Sequence, residues 1–374
     1  MNLSLLNNRP LTYRTALFSA ALIFLNSCLP PVISKPPIDR PYIIENSIEV
    51  KGGNFTKSEK TDLEQRLYNQ LDDSSKVTVN DILFLLHVIK RPPAWDSIFA
   101  ERSASSIRAS LFHMGYYHAT ATYKADKKGK KVKVHYTVDA GKPTRIDNVS
   151  YKMSSPGLQQ LADQSKNQSY LIPSQPVTKA AVLSEISRLV DSCRNNGYYK
   201  ITAAEFSVMG DTSIAPLTSV SEDPFEQIRL IAEAQRLRDS PRIDLSVVLN
   251  TPADSSRLDQ YGIRKIFVFP DFRRFDTPED STLRPTNING IILFTHNPLF
   301  KPEYLNRIIS LHPGSVFRQQ DYFRTLNNLS RAGVWSSVNI RLIESQDSSG
   351  SMDIVIELVP GRKFGFEAAL EASY

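Results

Sequence analysis

The sequence is poor in cysteine, in long apolar runs and in the short signatures of catalysis. Each lack removes a class of protein. Two cysteines in 374 residues cannot build a disulfide framework or a cysteine-rich zinc module. No HExxH, GxSxG or Walker phosphate loop occurs, so the common metallopeptidase, serine-hydrolase and nucleotide-binding designs have no foothold. The apolar stretch 16–25 is ten residues long, about 15 Å as a helix and half of a bilayer core. With 41% hydrophobic and 22% charged residues, the bulk is neither disordered nor a multi-span helical membrane protein. The 15 glycines and 23 prolines follow no repeat, which excludes a collagen-like chain. At about 150 residues per domain, the length predicts two or three domains.

What is present begins with an address. Arg9 and Arg14 precede the short apolar core, as in a signal peptide spanning residues 1–27. Leu25-Asn26-Ser27-Cys28 resembles a bacterial lipobox, which implies cleavage before Cys28 and acylation (palmitate) of that cysteine. An ordinary secretory leader with an incidental cysteine is the alternative. Cleavage takes two arginines and no acid from the formal +6, leaving +4. So mild an excess in an exported chain argues against a nucleic-acid partner. With Cys28 acylated, Cys193 has no partner and is expected to pack as a small buried hydrophobe on a helix. Residues 28–42 hold five prolines and read as an extended tether. No acidic run follows Cys28, which favours the periplasmic side for the lipid.

A pattern then recurs three times: an amphipathic helix, a glycine, two bulky residues and two strands. The marker glycines are Gly115, Gly197 and Gly333, followed by Tyr116-Tyr117, Tyr198-Tyr199 and Val334-Trp335. Ile107, Leu111 and Met114 mark one helical face; Ile186, Val190 and Cys193, then Tyr322, Leu326 and Leu329, repeat it. Each glycine suits the left-handed position that ends a helix, and the bulky pair is expected to pack back on that helix. Alternating strands around Gly-containing turns follow, as in 118–138. An opening strand precedes each unit, then a first helix, with Leu63, Leu67 and Leu71 in unit one and residues 302–311 in unit three.

The fold class is therefore α+β. Each unit is β-α-α-β-β, a three-stranded mixed sheet with two helices on one face. The final strand is the most continuously apolar and is expected in the centre, with the opening strand on its other side. That leaves the penultimate strand on an edge, about 118–124, 200–208 and 336–343. Edges offer unpaired N–H and C=O groups to a guest strand. The candidate binding residues are Thr120, Ala121 and Thr122; Thr202, Ala203 and Ala204; and Val338, Asn339 and Ile340. Expected bounds are 43–142, 143–252 with an insertion at about 210–241, and 261–361 with an insertion at about 271–300.

Strings such as NSIEVKGGN, HMGYYHATA and YTVDAGKPTRIDNV resemble the boundaries of POTRA domains. Three in series are similar to the periplasmic arm of the Omp85 superfamily (BamA/TamA family), and PPAWDSIFAERSASSIRASLFHMGYYHA with the lipobox most resembles its lipoprotein branch, TamL. The resemblance covers about residues 43–374. It implies an outer-membrane assembly factor, lipid-anchored through Cys28 with its arm in the periplasm. A TamB-like periplasmic partner and unfolded outer-membrane β-barrel clients are implied with it. Residues 362–374 add a further expectation. Phe364, Phe366, Ala368, Leu370, Ala372 and Tyr374 alternate with small or acidic residues, as in the first strand of a truncated transmembrane barrel; an amphipathic tail is the alternative.

Other candidates read as structural. His113 and His118 lack further ligands nearby and are expected on a surface or strand. The basic stretch 123–136 is expected to be a solvated hairpin tip, with contact to phosphate headgroups as the other reading. Asp139 and Asp147 look like turn and strand-end residues, and the Asn-x-Ser/Thr triplets at Asn54, Asn148, Asn167 and Asn328 like chance. No cofactor, metal or enzymatic activity is expected. The rival reading is a periplasmic scaffold or cell-wall-binding lipoprotein without a barrel.

Overall fold

A computed structural model describes residues 31–53, 55–82, 86–210, 241–297, 300–345 and 350–361. The leader with Cys28, Asn54, most of the expected insertion at 210–241, and the alternating segment 362–374 lie outside the described residues. Two compact units part after Thr144. The first holds one β-α-α-β-β module, and the second holds two.

The first module opens with β2 (Tyr42–Lys51), after a short β1 (Val32–Ser34). Helix α1 (Lys57–Asn69) starts at a reciprocal capping box between Thr56 and Glu59. After β3 (Val79–Ile82) and β4 (Leu86–Lys90), helix α2 (Ser97–His113) is capped by Asp96. The hairpin β5 (Thr120–Lys128) and β6 (Lys131–Asp139) completes it in the order β2-β6-β5. Alternation along β6 sends Val132, Val134, Tyr136 and Val138 to one face, where Leu63 and Leu67 of α1 and Ile107 and Leu111 of α2 close the core.

The second unit repeats this twice. Its first module runs β7 (Arg145–Lys152), α3 (Pro156–Gln164), α4 (Lys179–Arg194), β8 (Phe206–Gly210) and β9 (Arg242–Leu249), in the order β7-β9-β8. The other runs β10 (Gly262–Phe269), β11 (Arg284–Ile288), β12 (Ile291–Thr295), α5 (Pro302–Ile308), α6 (Gln319–Arg331), β13 (Trp335–Glu344) and β14 (Ser351–Pro360). In every module the last strand lies between the opening strand, to which it is parallel, and the penultimate one, to which it is antiparallel. Gly115, Gly197 and Gly333 have φ of +91°, +91° and +68°, as the helix-ending position requires.

Three expectations need correction. Part of the proline-rich tether is held, because β1 pairs in parallel with β4 in a small sheet, β1-β4-β3. Secondly, the stretch expected to be a strand from residue 200 begins only at Phe206. Thr202 and Glu205 form a second capping box around a 3-10 turn, Ala203–Glu205, so Thr202, Ala203 and Ala204 lie off the strand. Finally, the insertion in module three makes its sheet five-stranded, β11-β12-β10-β14-β13. The β11–β12 hairpin turns at Asn289 and Gly290, both with positive φ. It buries Phe269, Phe294 and Val355 in a second small core.

Cys193 is buried on α4, as its helical spacing predicts, and burial pushes its thiol up to about 12. In the Cys28→Ser chain no thiol should react with an aromatic disulfide reagent under native conditions, and one should react in denaturant. Rapid native labelling would contradict the packing.

Candidate strand-docking edges

The backbone of the three edge strands can be read residue by residue. Ser345 N–H donates to Ser351 O at 2.9 Å. In an antiparallel ladder, bonded pairs alternate with unbonded ones. Counting back along the register, Ile343, Arg341 and Asn339 turn their backbone groups to β14. Leu342, Ile340 and Val338 turn theirs outward. In β8, Asn250 N–H donates to Glu205 O at 2.8 Å. Ser207 and Met209 are therefore committed to β9, and Phe206, Val208 and Gly210 face out. The β5–β6 hairpin closes on Lys128 and Lys131 around Gly129 and Lys130, with Gly129 at φ +61°. The closing pair of such a two-residue turn is bonded, so Lys127, Ala125, Tyr123 and Ala121 face out.

The same rule holds in all three modules: the residues with outward backbone are those whose parity also carries core-facing side chains. Ala121 and Ile340 are buried, and Tyr123, Val338 and Leu342 pack against their cores. Of the nine sequence candidates, Ala121, Val338 and Ile340 thus turn ladder groups outward that no strand among the described residues pairs. Thr120, Thr122 and Asn339 present theirs to the neighbouring strand, and Thr202, Ala203 and Ala204 lie on the 3-10 turn. Strand β13 is the longest such edge at ten residues. Its solvent face is tied down: Arg341 pairs with Glu357 at 2.7 Å and Asn339 donates to the same carboxylate at 2.9 Å. Trp335 is its anchor, with Nε1 donating to Pro270 O at 3.0 Å and its ring 5.0 Å from Phe300.

The opposite edges are covered where they begin. A strap just before the second helix bonds to each opening strand. Ile43 N–H donates to Pro93 O (2.9 Å), Ile146 N–H to Gln175 O (2.9 Å), and Ile263 N–H to Ser315 O (2.8 Å). In module three, β12 pairs along β10 as well. The straps are a repeat that the helix-centred pattern misses. Their signal is a proline-bearing loop, then Trp95, Val177 or Phe317, then a helix.

The marker aromatics divide. Tyr116 packs on its own core, with its ring 5.5 Å from Phe55, and Tyr117 lies 4.8 Å from Phe112. Tyr198 is buried. Tyr199, expected to pack back on its own helix, instead packs on the core of module three, with its ring 4.9 Å from Tyr261 and 5.7 Å from Phe317. Its hydroxyl donates to Glu344 Oε1 at 2.6 Å, while Lys200 Nζ reaches Glu344 Oε2 at 2.8 Å. The bonds from Lys200 and Tyr199 hold the Glu344 carboxyl below its ordinary range. Glu344 ends β13, so this joint fixes the end of the candidate edge. Gly197 completes it: Tyr261 N–H donates to Gly197 O at 2.9 Å. A Cβ there would sit 2.8 Å from Gln260 Cγ and Val316 Cγ1. Gly197→Ala is expected to cost about 1–3 kcal/mol and to speed protease cleavage at 250–260. An unchanged digest would show that the joint tolerates the strain.

The remaining candidates keep structural places. His113 is exposed at the end of α2, and His118 is half-buried just before β5. Asp139 accepts from Gly141 N–H at 3.1 Å in a turn, and Asp147 pairs with Arg242 at 3.1 Å. Sequence reasoning missed Glu185, which is fully buried on α4. Among the described residues no group of three or more potential ligands could hold a metal ion.

No family model and no curated protein matches the chain. Among solved structures, POTRA domains 3–5 of BamA from Haemophilus influenzae are similar, with 12% identity, 86% of this chain and 98% of that chain covered, and a TM-score of 0.34. The POTRA1–3 periplasmic domain of Omp85 from Anabaena covers 87% of this chain and 97% of its own at 15% identity and a TM-score of 0.26. CdiB from Acinetobacter baumannii is 11% identical, covering 59% and 30%, with a TM-score of 0.23. Such loose superpositions do not define the modules; strand order within each sheet does.

Proposed function

We propose that this chain is the periplasmic arm of an outer-membrane assembly factor of the Omp85 superfamily, in its TamL-like lipoprotein branch, and acts without enzymatic chemistry. Three modules, 43–142, 143–252 and 261–361, form the arm. Acyl-Cys28 ties its start to the membrane, and residues 362–374 open a barrel. One observation carries this reading: among the described residues, each module leaves its penultimate strand on an edge, with the outward ladder groups in the same parity. An extended chain can pair there through its backbone, which suits clients of varied sequence. The clients are unfolded outer-membrane β-barrel proteins, and the partner is a TamB-like periplasmic protein. Strand β13 is the favoured edge, because it is long and its two ends are anchored by Trp335 and Glu344.

The experiment is capture in cells. A photo-crosslinking residue replacing Ser337 should trap β-barrel precursors, and the same residue on α1 at Lys57 should not. Equal capture at both positions, or none at Ser337, would reject docking at β13. Metabolic palmitate labelling that disappears in Cys28→Ala tests the anchor separately.

A further inference from the structure

The formal excess of the chain after leader removal is +4, yet residues 124–133 alone hold six lysines and one aspartate, a net +5. The rest of that chain is therefore −1. This is not a diffuse basic character; it is one hairpin tip. Two of its lysines have acidic partners, Lys124 with Asp126 at 3.6 Å and Lys133 with Glu45. Lys127, Lys128, Lys130 and Lys131 are exposed and meet no carboxylate among the described residues. The tip is also tied to the segment that leads from Cys28. Lys130 Nζ donates to Ile38 O, and Ile38 is 81% exposed. Lys127 Nζ lies 5.4 Å from the Trp95 ring centre, which holds that side chain at the tip.

We propose that this tip is a docking surface for the anionic headgroups of a phospholipid membrane. The four lysines meet phosphates, and the bare Ile38 side chain enters the headgroup boundary. The chemistry favours lipid over an acidic protein or a nucleic acid. Lysines act as point charges on phosphates and read no planar pattern, which is the task of arginine, and an exposed isoleucine beside them fits an interface with an apolar side. Each lysine near such a surface strengthens binding about fivefold. The proposal extends the reading of Cys28 as an anchor, and its test removes that cysteine so the two can fail separately.

The test uses the full-length Cys28→Ser chain without its leader. It is sedimented with vesicles of phosphatidylcholine alone or with phosphatidylglycerol added, at low and high salt. Binding is expected only to the anionic vesicles, and it should weaken steeply with salt. Replacing Lys127, Lys128, Lys130 and Lys131 by alanine should weaken it at least about a hundredfold. The charge-matched pair Lys57→Glu and Lys60→Glu on α1 should leave it within a fewfold, and circular dichroism should be unchanged in both variants. Equal affinity for both vesicle types, or indifference to the four substitutions, would overturn the proposal. So would retention of single-stranded RNA or an acidic polypeptide by the tip without vesicle binding.

Discussion

Val338→Pro is expected to cut client capture at β13 at least tenfold while leaving module three folded. The N–H of Val338 points away from β14, so proline there deletes no bond of the native ladder, and an edge strand accepts the ring. What it deletes is a donor to an incoming strand, and the ring blocks close approach. One lost bond is worth about 1 kcal/mol. With the steric block, capture should fall at least tenfold, about 1.4 kcal/mol. Two companions make the result interpretable. Val338→Ala removes similar packing but keeps the donor, so capture should persist. Asn339→Pro removes a donor that the native ladder uses and should unfold the edge. Intrinsic fluorescence of Trp335, which sits at the start of the same strand, reports folding in each. Normal capture by Val338→Pro would mean that clients dock elsewhere.

Glu185→Ala should be the most damaging single change in module two, costing about 3–5 kcal/mol. The carboxylate has no exposed surface. It accepts from Tyr151 Oη at 2.7 Å and Tyr170 N–H at 2.9 Å, and it pairs with Arg188 at 2.6 Å. Truncation strands the Tyr170 N–H, leaves the Tyr151 hydroxyl only Ser169 Oγ at 2.9 Å, and leaves the largely buried guanidinium without its counter-charge. Burial pushes the Glu185 carboxyl up, but the bonds from Arg188, Tyr151 and Tyr170 outweigh it and hold it below its ordinary range. A lowered folded-state value fixes the sign. The contribution is complete above the unfolded carboxylate pKa of about 4.3 and is lost as pH falls through the folded value. The difference in stability between wild type and Glu185→Gln should therefore shrink on acidification below that point. In a Cys28→Ser background, Cys193 thiol reactivity during urea titration reports on module two, since Cys193 lies on the same helix as Glu185. A gap that grows with acid would contradict the assignment.

Much of this architecture was legible because the repeat carries its own punctuation. The glycine after each second helix and the alternation of the last strand were enough to place the open edge. Other features were present in the sequence but ambiguous. Asn289-Gly290 is a strong hairpin signal, and it does make the β11–β12 turn. Thr202-Ala-Ala-Glu205 is a capping box that also resembles an alternating strand, and the local cap won over the β pattern. Some features were not legible at all. The pairing of Val32 with Val88 joins residues far apart in sequence through a three-residue strand, and nothing local marks it. The joint is similar: Tyr199, Lys200, Tyr261 and Glu344 come from two modules, and only packing brings them together. The parity rule for the edges depends on register, which a strand pattern leaves open by one residue.

Docking at β13 depends on the direction of its individual backbone amides. Residue-resolved hydrogen exchange, with and without an extended peptide from a β-barrel strand, measures this directly. In the free chain the amides of Asn339, Arg341 and Ile343 should exchange slowly, and those of Val338, Ile340 and Leu342 rapidly. Bound peptide should slow the second set and leave the first unchanged. Protection of both sets in the free chain, or no change in the second set on binding, would contradict an edge open to a guest strand.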